Sequence, residues 1–353
     1  MEVFLAITIC ALLAYLVKTF SLPSIPLYIV LGLILGNSGL KILKSSEVSD
    51  VFSELGAVLL AFYIGMQLNF STLKKVENFY SGIADLILNF LPILFLTAFL
   101  GFELKDALVL SLAIYTSSTI MVFRSLVENK KLALPESETI VWIMVFEDLV
   151  ILILLPVVFA FHVEIYGIFI VIFSTFLIYN FSEKLKVVKL GEDVAALVSL
   201  SIPAFAVVIS KVFDFPSVLS AIFFGFACSK VKEIEKAILP FKEVFLSLFF
   251  LFFAAKISFS VFPDVKVFLI ILILAVILKI LAGILAGLIV HRSFNSGIEI
   301  GATIVPRGEF SILLAMFLGN ETVSAVITLL VLVSSILGSF TAKYSYKLKS
   351  ISV

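Results

Sequence analysis

Glu147 and Asp148 stand side by side within T-I-V-W-I-M-V-F-E-D-L-V-I-L-I-L-L-P-V-V-F, residues 139–159, a stretch that is otherwise almost wholly apolar. It is long enough to cross a hydrocarbon core of about 30 Å. An ionised side chain near its middle costs about 2.5–3.5 kcal/mol on insertion scales, and two adjacent like charges also repel each other. A helix needs neither acid to insert, so the pair is expected to bind a cation or a proton inside the membrane. Neighbours on a helix project about 100° apart. One acid is therefore expected to lean on a fixed positive charge while the other faces a water-filled cavity.

The other intramembrane polar residues fit around that pair. Lys279, in V-I-L-K-I-L-A-G-I-L-A-G, lies too deep to snorkel to the surface. It calls for an acidic partner, and Glu147 is the expected one. Asp85 and Glu299 are expected nearer the membrane surface, where water reaches them. Thr116-Ser117-Ser118-Thr119 interrupts one apolar run with four hydroxyls, and Pro306-Arg307-Gly308-Glu309 interrupts another. Proline removes a backbone donor and glycine loosens the helix. Irregular backbone at this depth survives only when buried in protein or lining a wet cavity. The competing readings are hydroxyls bonded back to their own helix, and a kink carrying a structural ion pair. The expected site thus has Asp148, Glu147, Thr116, Ser117 and Ser118 binding ion or proton, with Asp148 holding a monovalent cation. Lys279, Arg307, Glu309 and Asp85 balance charge and helix dipoles. His162 and His291 have no metal-ligand partner at useful spacing, and no enzyme motif or cofactor site is read.

The elements that must position these residues are membrane helices. The chain is 62% hydrophobic and 14% charged with mean hydropathy +1.23, outside the range of soluble domains. Its 25 basic and 25 acidic residues cancel, so nucleic acid is not an expected partner. Cys10 and Cys228 lie in apolar stretches and read as packing residues. The start, M-E-V-F-L-A-I, lacks a basic leader region and reads as a retained first helix. Thirteen spans are expected, near 2–19, 23–40, 48–68, 79–100, 104–127, 137–161, 164–183, 193–211, 216–230, 241–260, 264–290, 297–319 and 322–343, with 344–353 as a short cytoplasmic tail. Seventeen lysines and arginines flank odd-numbered loops or the C-terminus and six flank even-numbered loops. That bias places the C-terminus in the cytoplasm and the N-terminus outside a cell membrane.

The chain also repeats itself. Lys18-Thr-Phe-Ser-Leu-Pro23-Ser with Gly32 returns as Lys211-Val-Phe-Asp-Phe-Pro216-Ser with Gly225, at a constant offset of 193. The offset pairs the fifth span with the twelfth. Copies beginning seven spans apart enter the membrane from opposite sides, as in the inverted repeats of secondary transporters, whose sites lie where discontinuous helices meet. Repeat one covers about 1–161, a linker helix about 164–183 and repeat two about 193–343.

Several stretches resemble, in order, the membrane domain of the monovalent cation:proton antiporter-2 family, which includes sodium/proton antiporters and Kef-type potassium/proton systems. They are Leu55–Phe70, Ser117-Ser118-Thr119, Phe146-Glu147-Asp148-Leu149 and Arg307-Gly308-Glu309-Phe310. The resemblance implies a thirteen-helix inverted repeat with a core domain, a dimerisation domain and two crossed broken helices, working as a homodimer. It also implies that Asp148 is the essential ion- and proton-binding aspartate, with Lys279 pairing the acid before it. Glu147 departs from the commoner residues at its position, which leaves the stoichiometry open. The expectation is therefore exchange of Na⁺ or Li⁺ for H⁺ by alternating access, at one carboxylate that ion and proton share. A Kef-type K⁺/H⁺ antiporter is the nearest alternative. A sodium-coupled organic-anion symporter, a cation channel and a non-transporting sensor are alternatives of other classes.

Overall fold

The computed structural model describes residues 2–20, 24–43, 46–67, 76–159, 165–185, 191–213, 215–258, 265–318 and 320–349. Among these residues there are fifteen α-helices and no strand. They are α1 (Glu2–Phe20), α2 (Ser24–Leu35), α3 (Glu47–Gln67), α4 (Val76–Phe99), α5 (Leu104–Tyr115), α6 (Thr119–Glu128), α7 (Pro135–Phe159), α8 (Ile165–Leu185), α9 (Glu192–Phe213), α10 (Ser217–Cys228), α11 (Lys232–Lys256), α12 (Val265–Ala286), α13 (Phe294–Thr303), α14 (Glu309–Leu318) and α15 (Glu321–Lys349). Six of them are long and apolar enough to cross a membrane by length and composition, among the described residues. The protein is a multi-pass membrane protein. The expected fifth and twelfth spans are each divided, into α5 and α6 and into α13 and α14, at the hydroxyl run and the Pro-Arg-Gly run.

Cα packing separates two compact units. The first comprises Met1–Leu22, Leu31–Asn69 and Leu152–Lys256. Its centre is α3, whose buried side chains from Gly56 to Met66 lie among α10 and α11. Phe249, Phe250 and Phe252 of α11 are almost completely buried there, and Phe52 stacks on Phe245 with centroids 5.8 Å apart. Helix α11 begins nine residues before the expected span. Lys242, counted with the charges at the start of that span, is buried within the helix, 4.2 Å from the Tyr63 ring centroid and 2.8 Å from Glu243 Oε1.

The second unit comprises Pro23–Val30, Phe70–Ile151 and Ile257–Val353. It holds both broken helices, with α4, α12, α15 and most of α7. Its apolar core joins Val122 and Leu126 of α6, Ile140, Ile143 and Met144 of α7, Ala286 of α12, and Ile300 and Ile304. Helices α12 and α13 pack backbone to backbone: a Cβ built on Gly283 would lie 2.1 Å from Gly301 Cα. Only glycine on both sides permits that approach, and it seats the helix bearing Lys279 directly against a broken one. A π-helical turn, Gly287–His291, ends α12, and Arg292 then takes a left-handed conformation, φ 50°. Helix α15 runs on to Lys349, so part of the expected tail is helical.

Candidate functional site

The first break is Thr116–Ser118. Thr116 and Ser118 are extended, and the Ser118 hydroxyl caps α6 by accepting from Met121 N–H at 3.4 Å. Capping satisfies one of the amides that a helix start leaves unpaired. Thr119, read from sequence as part of the interruption, is the first residue of α6. The second break is 304–308, where Pro306 denies a donor and Gly308 denies a side chain. Each break supplies what the other lacks. Ser118 N–H donates to Pro306 O at 2.8 Å, the Ser118 hydroxyl to Glu309 Oε2 at 2.8 Å, and the Ser311 hydroxyl to Ala113 O at 2.7 Å. The Ser117 hydroxyl has two acceptors in reach, Ile304 O at 2.9 Å and Glu147 Oε1 at 3.0 Å. Thr116 Oγ1 lies 3.5 Å from Ser311 Oγ.

The two helix ends at the second break carry charges of the sign their dipoles favour. Arg307 is almost fully buried. Its guanidinium donates to Ile304 O at 3.4 Å and Val305 O at 2.5 Å, carbonyls just past the C-terminal end of α13, and to Ala275 O of α12 at 3.1 Å. Glu309 is the first residue of α14, at the positive end of that helix.

Beside the crossing lies a completely buried triad. Lys279 Nζ donates to both carboxylate oxygens of Asp85 at 2.9 Å and to Glu147 Oε1 at 2.7 Å, and all three side chains are 0% exposed. Asp85 also accepts from Asn89 Nδ2 at 2.9 Å, and Glu147 Oε2 accepts the Ser117 backbone N–H. The Tyr115 ring centroid lies 5.2 Å from Lys279 Nζ. A buried charge is tolerated when it is paired and its remaining donors and acceptors are met, and here three charges meet that condition together.

Asp148 differs. It is half-buried and has no hydrogen bond or ion pair with any described residue; the nearby charges acting on it are Glu147 and Glu309, both acidic. The residues singled out from sequence are thus brought into one region of the second unit, with Asp148 as the member whose charge no fixed cation answers.

Two expectations are corrected. Asp85 is not hydrated near the surface; it is fully buried against Lys279. Glu299 is not interfacial either: it is 2% exposed and pairs with Lys131 Nζ at 2.6 Å. Lys131 also donates to Ser345 Oγ at 2.8 Å and to the Ala342 carbonyl. Sequence reading placed Lys131 in a loop and missed this contact, because no local pattern marks a loop lysine that turns inward. Tyr115 and Asn89 were missed as neighbours of the triad, although each stands close in sequence to a residue already singled out. His291 bonds Thr139 Oγ1 at 2.9 Å, while His162 lies outside the described residues.

Broken helices meeting beside buried and half-buried charges, in a chain of apolar helices, define a membrane-embedded ion carrier. The family described as "Sodium/hydrogen exchanger, transmembrane" matches residues 5–344. The chain belongs to that family of cation:proton antiporters, and it is a transporter, not an enzyme. Among similar proteins, the "K(+)/H(+) antiporter subunit KhtU" of Bacillus subtilis is 28% identical over 98% of this chain and 93% of its own. The "Ammonium/H(+) antiporter subunit AmhT" of Alkalihalophilus pseudofirmus is 26% identical over 90% and 85%. The "Na(+)/H(+) antiporter" of Enterococcus hirae is 22% identical over 95% and 94%. The solved structure of the sodium proton antiporter MjNhaP1 from Methanocaldococcus jannaschii shares the fold, with TM-score 0.75 at 16% identity, covering 99% of this chain and all of that one.

Proposed function

We propose that the protein exchanges a monovalent cation, Na⁺ or Li⁺, for H⁺ by alternating access, with Asp148 as the carboxylate that ion and proton share. One observation carries this reading. Lys279 bonds Asp85 and Glu147, and Ser118 bonds Glu309, whereas Asp148 alone of the four acids has no bonded partner among the described residues. A half-buried carboxylate with no bonded partner in a membrane helix is open to either a cation or a proton. Because either one satisfies the same charge, the two compete, and competition couples the fluxes without a separate gate. The Ser117 and Ser118 hydroxyls already bond Glu147 and Glu309, and with Thr116 they are the groups proposed to complete the ion's coordination.

Potassium is the second reading, favoured by the potassium antiporter subunit among the relatives; the ammonium antiporter adds a third cation worth testing. A homodimer in the cell membrane, with inverted repeats and a cytoplasmic C-terminus, belongs to the same proposal. Proteoliposomes loaded with a pH-sensitive dye and challenged with Na⁺, Li⁺, K⁺ and NH₄⁺ separately, across pH, test it. Cation-dependent proton movement that saturates is the expected result. No response to any of them, or single-channel currents, would sink the reading.

A further inference from the structure

We infer that the Tyr115 hydroxyl is a specificity-determining ligand of the transported cation: it completes the oxygen shell beside Asp148 and makes the site favour the small ions Na⁺ and Li⁺ over K⁺ and NH₄⁺. The inference rests on the antiporter reading above and names the group that chooses among its cations.

Tyr115 is the last residue of α5, at the edge of the first break. Its side chain is fully buried, and among the described residues its hydroxyl has no hydrogen-bond partner. A phenol is both donor and acceptor, and a buried polar group left unsatisfied lowers stability. Phenylalanine would fill the same space without that cost. The negative charges of Asp85, Glu147 and Asp148 all act on this hydroxyl, yet it bonds none of them. Lys279 is not its partner either. The ammonium has three hydrogens, of which two go to Asp85 and one to Glu147, and it lies 5.2 Å from the centre of the Tyr115 ring.

These facts say where an added cation goes. A place beside Lys279 is disfavoured by like charge, and Asp85 and Glu147 are already engaged with that lysine. Asp148 is left, with only acidic charges acting on it. A cation held between Asp148 and the phenol meets a neutral oxygen, the donor type that hard cations take. The phenol O–H can then donate to a neighbouring carboxylate, so both halves of the hydroxyl are used. Selectivity follows from rigidity. A tyrosine has two side-chain torsions, and here the ring is buried with an ammonium against it. An oxygen held in this way cannot retreat to the longer bonds that K⁺ or NH₄⁺ needs. Choice between ions of one charge is set by cavity size, ligand number and flexibility.

Tyr115→Phe keeps the ring and removes the oxygen. For wild type and variant, the concentrations of Na⁺, Li⁺, K⁺ and NH₄⁺ that give half-maximal exchange are measured in proteoliposomes. The same cations are titrated against melting temperature in detergent, which reads binding without transport. The wild type should take Na⁺ and Li⁺ at lower concentrations than K⁺ and NH₄⁺. In the variant the Na⁺ and Li⁺ half-points should rise about tenfold in both assays, against about twofold or less for K⁺ and NH₄⁺. Without added cation the variant should melt no lower than the wild type, because the hydroxyl it lacks had no partner to lose. A structural hydroxyl predicts the reverse, a lower melting temperature or failure to fold, with unchanged half-points. That result, equal rises for all four cations, or a wild type that takes K⁺ or NH₄⁺ in preference to Na⁺ would each overturn the inference while leaving a cation:proton carrier in place. Absence of any cation-dependent proton movement by the wild type overturns the antiporter reading, and this inference with it.

Discussion

Gly308 faces Ser118 so closely that a Cβ on Gly308 would lie 2.3 Å from the serine oxygen and 2.4 Å from its Cβ. The two breaks therefore meet at van der Waals contact, with no space for even a methyl group, and the Ser118 N–H to Pro306 O bond depends on that approach. Gly308→Ala is expected to cost about 1–3 kcal/mol of stability through overpacking and to slow exchange. Melting in detergent and dye-based exchange rates check both. Adding Ser118→Gly should recover part of the melting temperature; no recovery would mean that the strain lies elsewhere.

Asp148→Asn keeps the shape of the side chain and removes its charge. Because no described residue bonds to this carboxylate, the variant is expected to fold as well as the wild type and to lose at least a hundredfold in exchange rate. Proteoliposome assays after matched reconstitution, with melting as the control, decide this. Retained cation-dependent proton flux would remove Asp148 from the mechanism.

Lys131 and Glu299 form a nearly dry ion pair at 2.6 Å, and the lysine reaches the Ala342 carbonyl and Ser345 of α15 as well. Truncating one member leaves a buried charge unanswered, which typically costs about 3–5 kcal/mol. Lys131→Met alone should therefore lower the melting temperature sharply, and Lys131→Met with Glu299→Leu should restore most of the loss. If the double variant melts no higher than the single one, the pair is not what holds α6, α13 and α15 together at this point.

Arg307 covers three carbonyls, those of Val305, Ile304 and Ala275, with a planar fork. Lysine carries the same charge on a single nitrogen and cannot reproduce that fork. Arg307→Lys is expected to cost about 1–3 kcal/mol and to impair exchange despite conserving charge. Thermal melts and exchange rates measured together check it; wild-type values for both would show that charge alone suffices there.

Much of the scaffold could be read directly, because membrane helices are specified locally: an apolar run long enough to cross the bilayer identifies itself without reference to its neighbours. The breaks could be read for a related reason. Four hydroxyls in a row and a Pro-Arg-Gly run are conspicuous where everything else is aliphatic. The helix limits of α11 and α15 were less legible. Lys232–Lys242 and the residues after Lys343 have the composition of loops, and packing extends the helices through them.

What the sequence determined by itself was the inventory: apolar helices, two interruptions, and a short set of acids and bases too costly to be at that depth without a task. Which charge answers which was decided only by the tertiary structure. Asp85, Glu147 and Lys279 come from three separate helices, and their meeting depends on how α4, α7 and α12 pack, not on any spacing along the chain. Asp85 and Glu299 were placed nearer water because depth along a helix can be read from sequence while burial among neighbouring helices cannot. Adjacent in sequence, Glu147 and Asp148 differ for the same reason. The helix turns one toward Lys279 and Ser117, and leaves the other, half-buried, with no partner among the described residues.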